Sequence, residues 1–475
     1  MTKGIRKMNQ KLNDIIKERL YDRYIAPTEH KKAIYSGVEI ELPIVNLCRQ
    51  AVDFAVAHKL ARRFGKHFNF IVESHDDDGN LLALADTATN DIFTFDCSYN
   101  TLEISFGMVD DLREVARRSG AYLEFIQNFL QKHDHLAVGM GINPHRAFNT
   151  HLPIQTGRYR MLFHHLLTYK GFVAQKLFHP YPAYGMFSAA SQVQLDILPG
   201  KLIQSLRVFN ALEPFKSVLL ANSPLKPEGL LLARDRLWAD GMQGFNPRNV
   251  GAHDPVPGSL DELLEYLLDA SMYCNERDGK YYNFAPVPLR EYFTKPSISA
   301  EYYADGSYHR EKFVPALDDL TYFRTFKFED PTFRGTLEFR SVCAQPLRDT
   351  MVVPAFHLGL INQLDELEEL LGQDALYSHG LTAVELRNLL NRESWPAFID
   401  RSALSQTLIR ILSIAETSLK RRRKNEEQFL RPLFDRAEHL TSPAREYTRR
   451  LAAGERTEAL IFDYATLAER SMVKA

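Results

Sequence analysis

GVEIELPIV (37–45) is the stretch on which the reading of this chain turns. Val38, Ile40 and Leu42 alternate with Glu39 and Glu41. Alternation at a period of two marks a β-strand with one apolar face. The other face carries two carboxylates about 7 Å apart, the i to i+2 spacing of an extended chain. Taken alone, such a pair reads as solvated.

Three more stretches share the layout. TLEISF presents Glu103 and Ser105 opposite Leu102, Ile104 and Phe106. SQVQLDI presents Gln192, Gln194 and Asp196 opposite Val193, Leu195 and Ile197. TLEFR presents Glu338 and Arg340 opposite Leu337 and Phe339. If these strands share one antiparallel sheet, one face is core and the other is dense in carboxylates. Glutamate is depleted in strands, and like charges crowded on a sheet face repel. Hard cations with oxygen ligands resolve the repulsion, and magnesium commonly bridges carboxylates to phosphates. Arg340 adds a guanidinium suited to bidentate contact with a phosphate or carboxylate. The set suggests ATP-dependent chemistry without a P-loop.

Other motifs are missing. No GxxxxGK[ST], HExxH or GxSxG occurs, and GMGINP lacks the third glycine of a dinucleotide fingerprint. His164 and His165 are adjacent, so on a helix they diverge and cannot chelate together. ESHDDDGNLLAL (73–84) has no glutamate at the twelfth position of a calcium loop and reads as a solvated turn.

The 475 residues carry a net charge of −2, so no global field favours nucleic acid or an anionic membrane. The four cysteines form no CxxC pair and are too sparse for a disulfide framework. MTKGIRKMNQKLNDIIKERL has no apolar core of a signal peptide, and no apolar stretch is long enough to span a membrane. The expectation is a cytosolic protein.

The pattern predicts a helical arm within residues 1–30, an α+β domain over 31–353 and a helical region over 354–475 packed on it. Helices are expected at 5–24, 49–64, 111–132 (capped by Asp110 or Asp111) and 158–167. Pro180 and Pro182 exclude regular helix from the aromatic segment 177–187. Residues 240–258, rich in Gly, Pro and Asn, read as a mobile loop. Leu408, Ile411, Leu412, Ala415 and Leu419 form one apolar stripe, and KRRRK (420–424) reads as a solvated helix face.

The motifs GVEIE, the Asp96 to Glu103 pair ending in TLEIS, SQVQLD, NSP (222–224), RGTLEFRSVCAQP (334–346) and LKRRRKNEEQFLRPL with SPAREY (419–447) resemble the glutamate–cysteine ligase family, taken broadly to include related carboxylate–amine ligases. That resemblance implies a fold like the catalytic domain of glutamine synthetase: a curved, largely antiparallel sheet wrapped by helices. It implies ATP and two or three magnesium ions, or manganese in their place. The implied metal ligands are Glu39, Glu41, Asp96, Glu103 and Glu338. Gln192 and Gln194 would contact the ligands, and Arg340 would meet the reacting carboxylate or phosphoryl group. Glu39, Glu338 and Arg340 are the candidates for catalysis.

Some members carry histidine in place of Gln192. Cys343 stands where the family usually has aspartate, and Gln194 where asparagine is common, so substrate contacts are open to change. The implied reaction joins the γ-carboxylate of glutamate to an amine, cysteine above all, through an acyl phosphate, the first step of glutathione biosynthesis. The partners would be small amino-acid substrates. Segments 177–187 and 240–258 are candidate covers. Three readings stand beside this one. A carboxylate–amine ligase with another amine acceptor is the first. Paired carboxylates on strands also suit glycoside hydrolysis, although that leaves Arg340 and the surplus acids without a role. A non-catalytic homologue that senses nucleotide or amino acid is the third.

Overall fold

The computed structural model describes residues 3–168 and 178–467; the side chains of residues 3–9 and of Pro227 are outside that description. The expectations for Ile5, Leu177 and the last eight residues of the helical region therefore lie outside the described residues. The first half of the chain supplies β1 (Ser36–Asn46), β2 (Ile71–His75), β3 (Leu81–Ala85), β4 (Ile92–Phe95), β5 (Thr101–Val109), β6 (His135–Ala137) and β7 (Ser191–Asp196). The second supplies β8 (Val250–Gly251), β9 (Ser271–Arg277), β10 (Lys280–Pro288), β11 (Ile298–Ala304) and β12 (Ser307–Phe313). It closes with β13 (Phe326–Lys327), β14 (Glu329–Pro331) and β15 (Thr336–Phe339).

The main sheet runs in the order β14-β15-β7-β1-β5-β4-β3-β2, with β6 pairing the far end of β1. Its pairings are antiparallel. The four strands singled out by period two, β1, β5, β7 and β15, are thus consecutive in one sheet. Glu39 stands opposite Ser105 and Gln192, Glu41 opposite Glu103, and Glu338 opposite Gln194. Cross-strand partners share a face, so the acidic residues converge on one side.

The other side is core. Ile40, Leu102, Val193 and Phe339 are each 1% exposed or less. Helices Leu202–Leu220 and Val352–Ile361 cover it, with the Phe339 ring 4.5 Å from both Phe209 and His357. Helices Phe54–Phe68 and Leu112–Gln131 cover the β3–β5 end, where Phe64 stacks on Phe93 at 4.3 Å. Asp111 caps the second of these. The first starts later than its expected 49–64, because Asp53 accepts from the Ala55 amide, and it runs on until Asn69 turns left-handed.

A second sheet, β9 to β12, lies over residues 271–313. Its two hairpins turn at Asp278–Gly279 and Asp305–Gly306, all four residues at positive φ. Asp-Gly pairs at two-residue turns are a strong hairpin signal.

Several expectations need correction. The strand carrying TLEFR is only Thr336–Phe339, since Gly335 turns the chain at φ +73 where a Cβ would meet the Pro27 carbonyl at 2.5 Å. Segment 240–258 is irregular but anchored at its centre. The buried Lys327 ammonium donates to the Val250 and Ala252 carbonyls at 2.6 and 2.7 Å, and Asn249 is bonded to Ser271 through both ends of its amide. KRRRK is not merely solvated: Lys424 pairs with Asp110 at 2.6 Å and Arg422 with buried Glu426 at 2.6 Å. The described residues after Val352 form helices and connecting turns, and the stripe from Leu408 to Leu419 is buried on Arg401–Arg422. Among the described residues no helix is long and apolar enough to cross a membrane.

Candidate active site

A cavity of about 460 Å³ lies on the acidic face. Glu39, Glu41, Asp96, Glu103, Gln192, Glu338 and Arg340 all line it. Gln194 is not among its lining residues; its amide donates to Glu338 Oε1 at 3.2 Å, and Arg334 donates to its carbonyl oxygen at 2.7 Å. Cys343 is also elsewhere, fully buried with its thiol 3.2 Å from the Ser223 hydroxyl. That departure from the family pattern therefore makes no wall of the cavity.

Pairing register builds the centre. Glu39 and Glu41 leave β1 on the cavity side, and Glu103 leaves β5 directly opposite Glu41. One oxygen from each of the three lies within 4.8 Å of the others. The Gln192 amide donates to Glu39 Oε1 and to Glu41 Oε1, each at 2.8 Å, and the Ala190 amide donates to Glu41 Oε2 at 2.6 Å. Asp96 comes from the turn after β4, where Cys97 adopts φ +56. Tyr159 Oη and Cys97 Sγ hold its Oδ1 at 3.4 and 3.3 Å.

Arg340 closes the β15 side. Its guanidinium meets Glu338 at 2.5 Å, the Gln192 carbonyl oxygen at 3.1 Å and Asp330 at 3.8 Å. Arg340, with Arg158, Arg234 and Arg324 also on the wall, does not offset so many closely packed acids. Burial, then the charges of Glu103, Glu41 and Glu338, push the Glu39 carboxyl well above its usual range. Burial and Asp96 push Glu41 up to about 7 and Glu103 up to about 8. Burial raises Asp96 as well. Closely packed buried carboxyls share protons unless a cation separates them. The donors are hard oxygens at bridging distance, which fits magnesium or manganese.

Other wall residues come from elements that period-two patterning does not touch. Arg158 and Tyr159 open the helix Gly157–Leu167, which Thr156 caps. Arg234, Asp235 and Trp238 come from the helix Ala233–Ala239, Tyr273 from β9, and Arg324 from the segment before β13. None was foreseen, and no local spacing points to them. Of the proposed covers, Tyr184 and Gly185 from 177–187 and Gln243 from 240–258 reach the cavity. His164 and His165 diverge as expected: His165 stacks on Tyr273 at 4.4 Å, and His164 pairs with Glu301 at 2.7 Å.

Comparison with known proteins adds lineage to this geometry. The chloroplastic glutamate–cysteine ligase of Brassica juncea is 26% identical over 259 residues, covering 53% of this chain and 48% of that protein. The Arabidopsis thaliana chloroplastic enzyme is 26% identical over 245 residues, covering 50% and 44%. The chain thus matches about half the length of these curated relatives. A glutamate–cysteine ligase from Francisella tularensis, solved in complex with AMP, aligns over 92% of this chain and 88% of its own, with a TM-score of 0.45 and 14% identity. The family model described as glutamate-cysteine ligase family 2 matches residues 36–465, nearly the whole chain, and the chain belongs to that family.

Proposed function

We propose that the chain is an ATP-dependent carbon–nitrogen ligase. It would join the γ-carboxylate of L-glutamate to an amine through an acyl phosphate, with cysteine the acceptor that the relatives' names supply. The carrying observation is the convergence of Glu39, Glu41 and Glu103 beside Arg340 on one cavity wall, in a chain of this family.

A free carboxylate does not acylate an amine at a useful rate, because oxide is a poor leaving group. Transfer of the γ-phosphoryl group makes phosphate the leaving group. Such transfer needs alignment and charge neutralisation more than covalent help. Glu39, Glu41 and Glu103, with Asp96 and Glu338 beside them, would hold magnesium or manganese, which when bound neutralises charge on the phosphoryl oxygens. The Gln192 amide holds Glu39 and Glu41 in place. Arg340 would bind the reacting carboxylate or phosphoryl oxygens through its guanidinium. Arg158 and Arg324, exposed within the cavity, would take the remaining anionic oxygens. The roof from Tyr184 and Trp238 limits water at an intermediate that water destroys.

The test is ADP release by the purified chain with ATP, Mg²⁺, L-glutamate and an amine. The expected result is ADP formation that requires both glutamate and the amine. Nucleotide or amino-acid binding without any turnover would favour the sensor reading instead.

A further inference from the structure

Lys327 is among the largest fully buried side chains of the protein. Its neighbours Phe326 and Phe328 line the cavity, and Lys327 itself does not. Its ammonium enters a cage of main-chain oxygens instead. It donates to the carbonyls of Val250 at 2.6 Å, Ala252 at 2.7 Å and Pro247 at 3.3 Å, and it lies 5.5 Å from the centre of the Tyr266 ring. Three N–H groups meet three carbonyls, so the protonated amine is the form that fills the cage. Rings of backbone carbonyls hold potassium in the same way, by replacing its hydration shell, and a ring face adds attraction for any cation.

The cage is joined to the reacting centre through the backbone. β13 pairs with β8 in parallel; the Phe326 amide donates to the Asn249 carbonyl at 2.6 Å and the Phe328 amide to the Gly251 carbonyl at 3.0 Å. The Arg340 amide donates in turn to the Phe328 carbonyl at 2.9 Å, and the Arg340 guanidinium lies 5.4 Å from the Phe326 ring centre. Arg340 thus leans on the residues either side of Lys327. Emptying the cage would leave three buried carbonyls without donors, and the short β8 strand they belong to would shift to find others.

We propose that Lys327 is a positioning residue that serves as a tethered monovalent cation: its ammonium fills a site made by the Pro247, Val250 and Ala252 carbonyls, and so fixes the Phe326–Phe328 backbone that aims Arg340. The effect on turnover rests on the ligase reading above; the occupancy of the cage stands apart from it. The occupant then need not be covalently attached. Cutting the side chain back to a methyl group opens the space of its stem, and a free ammonium or potassium ion has the charge and size that the carbonyls accept. Choline has the charge, but its methyl groups offer no N–H and hold the nitrogen away from the oxygens.

The experiment measures ADP release by the full chain, as Lys327→Ala and Lys327→Met, in choline chloride and in ammonium or potassium chloride of equal ionic strength. It is run at about pH 6.5, below the value of about 7 to which burial lowers Lys327. Relative to wild type in the same salt, Lys327→Ala in choline is expected to lose about 10²-fold in kcat, the scale of a small misplacement at a reacting centre, with KM for ATP within about twofold. Ammonium or potassium should restore at least ~10-fold of that loss. Lys327→Met, whose apolar stem fills the space, should lose as much and recover nothing. No recovery in Lys327→Ala, equal recovery in both variants, or near-normal kcat in Lys327→Met overturns the proposal. So does a loss that falls on KM for ATP, the mark of a loosened cavity. If no amine supports turnover by wild type, the ligase reading fails and the Tm decides the cage alone: a higher Tm for Lys327→Ala in potassium than in choline, absent in Lys327→Met, supports it, and equal values overturn it. If Lys327→Ala does not fold in choline, folding in ammonium or potassium chloride supports the proposal, and failure in every salt overturns it.

Discussion

Glu329 and Asp330 are neighbours on β14, and their carboxylates leave on opposite sides of the main sheet. Glu329 pairs in register with Phe339 and faces the helices; Asp330 pairs with Glu338 and faces the cavity. Behind the sheet, Glu329 joins Glu213, Lys216 and Arg387, and Arg387 reaches on to Asp235 at the cavity wall. Lys216 pairs with Glu213 and lies 3.5 Å from Glu329, while Arg387 meets Glu213 and Asp235, each at 2.6 Å. Despite complete burial, Lys216 and Arg387 hold Glu213 down at about 2, and Glu329 keeps its proton beside it. In front of the sheet Glu39, Glu41, Asp96, Glu103, Asp235 and Glu338 outnumber Arg158, Arg234, Arg324 and Arg340, and Glu41 and Glu103 rise to about 7 and 8. Both regions are buried and rich in charge. The rear one sets two cations on Glu213 and leaves Glu329 protonated; the front one packs the Glu39, Glu41 and Glu103 carboxyls within 4.8 Å of one another, as a site for a cation must.

The largest effect expected from this contrast is on turnover. Glu39→Gln should lower ADP release by three orders of magnitude or more, about 4 kcal/mol of barrier, while circular dichroism reports an unchanged fold. Loss of one of several crowded acids should not destabilise the metal-free protein. Near-normal ADP release would sink the assignment of Glu39 to the cation. The opposite pattern belongs to the rear network. Arg387→Met leaves Glu213 and Asp235 without a main counter-charge, so it should cost about 3–5 kcal/mol in urea unfolding. A loss under 1 kcal/mol would show that the network is not what holds that face.

A third expectation concerns pH. Glu41 and Glu103 keep protons in the fold at pH values where the unfolded chain, near its ordinary carboxyl pKa, has lost them. The folded state then binds more protons, so their contribution is present at low pH and is lost as pH rises through about 7 and 8. Other groups titrate nearby. Burial lowers His165, His253 and His357 to about 3, which destabilises the fold only below the ordinary histidine pKa, and burial lowers Lys327 to about 7, which acts in the opposite direction to the carboxyls. A difference measurement removes these. Between pH 6.5 and 8, metal-free wild type should lose on the order of 1.5 kcal/mol more than Glu103→Gln. Saturating Mg²⁺ should erase that loss, because the cation takes the place of the protons. An identical slope for the two proteins without metal would contradict the raised carboxyls.

Much of the front region was legible in the sequence. A period of two placed Glu39, Glu41, Glu103, Gln192 and Glu338 on one face, and register then brought them together. The rest was not written locally. Arg158, Arg234 and Arg324 reach the cavity from separate segments, and only the packing of the whole chain joins them. The rear network was equally invisible, since Glu213 and Lys216 sit in a helix whose spacing says nothing of Arg387 or Glu329. In segment 240–258 glycine, proline and asparagine signal irregular backbone, but composition does not show that a lysine far along the chain anchors it by taking two of its carbonyls. The Asp-Gly hairpins of β9 to β12 differ again, for their signal is local, a two-residue turn at positive φ.

The KRRRK segment supplies the small end of the scale and sharpens the comparison by removing burial from it. Lys424 and Arg422 both reach Asp110, whose side chain is 59% exposed. Hydrogen bonding from Lys424 holds the Asp110 carboxyl below its usual range, yet water screens the pair. Lys424→Ala should therefore change stability by less than about 1 kcal/mol, and raising salt should shrink even that. Arg422 differs because its other partner, Glu426, is fully buried and accepts from the Leu112 amide at 2.9 Å. Arg422→Ala should cost more than Lys424→Ala by leaving that buried carboxylate without its guanidinium. If urea unfolding gave equal losses for the two variants, burial would not be what separates charge that holds the fold from charge that merely decorates it.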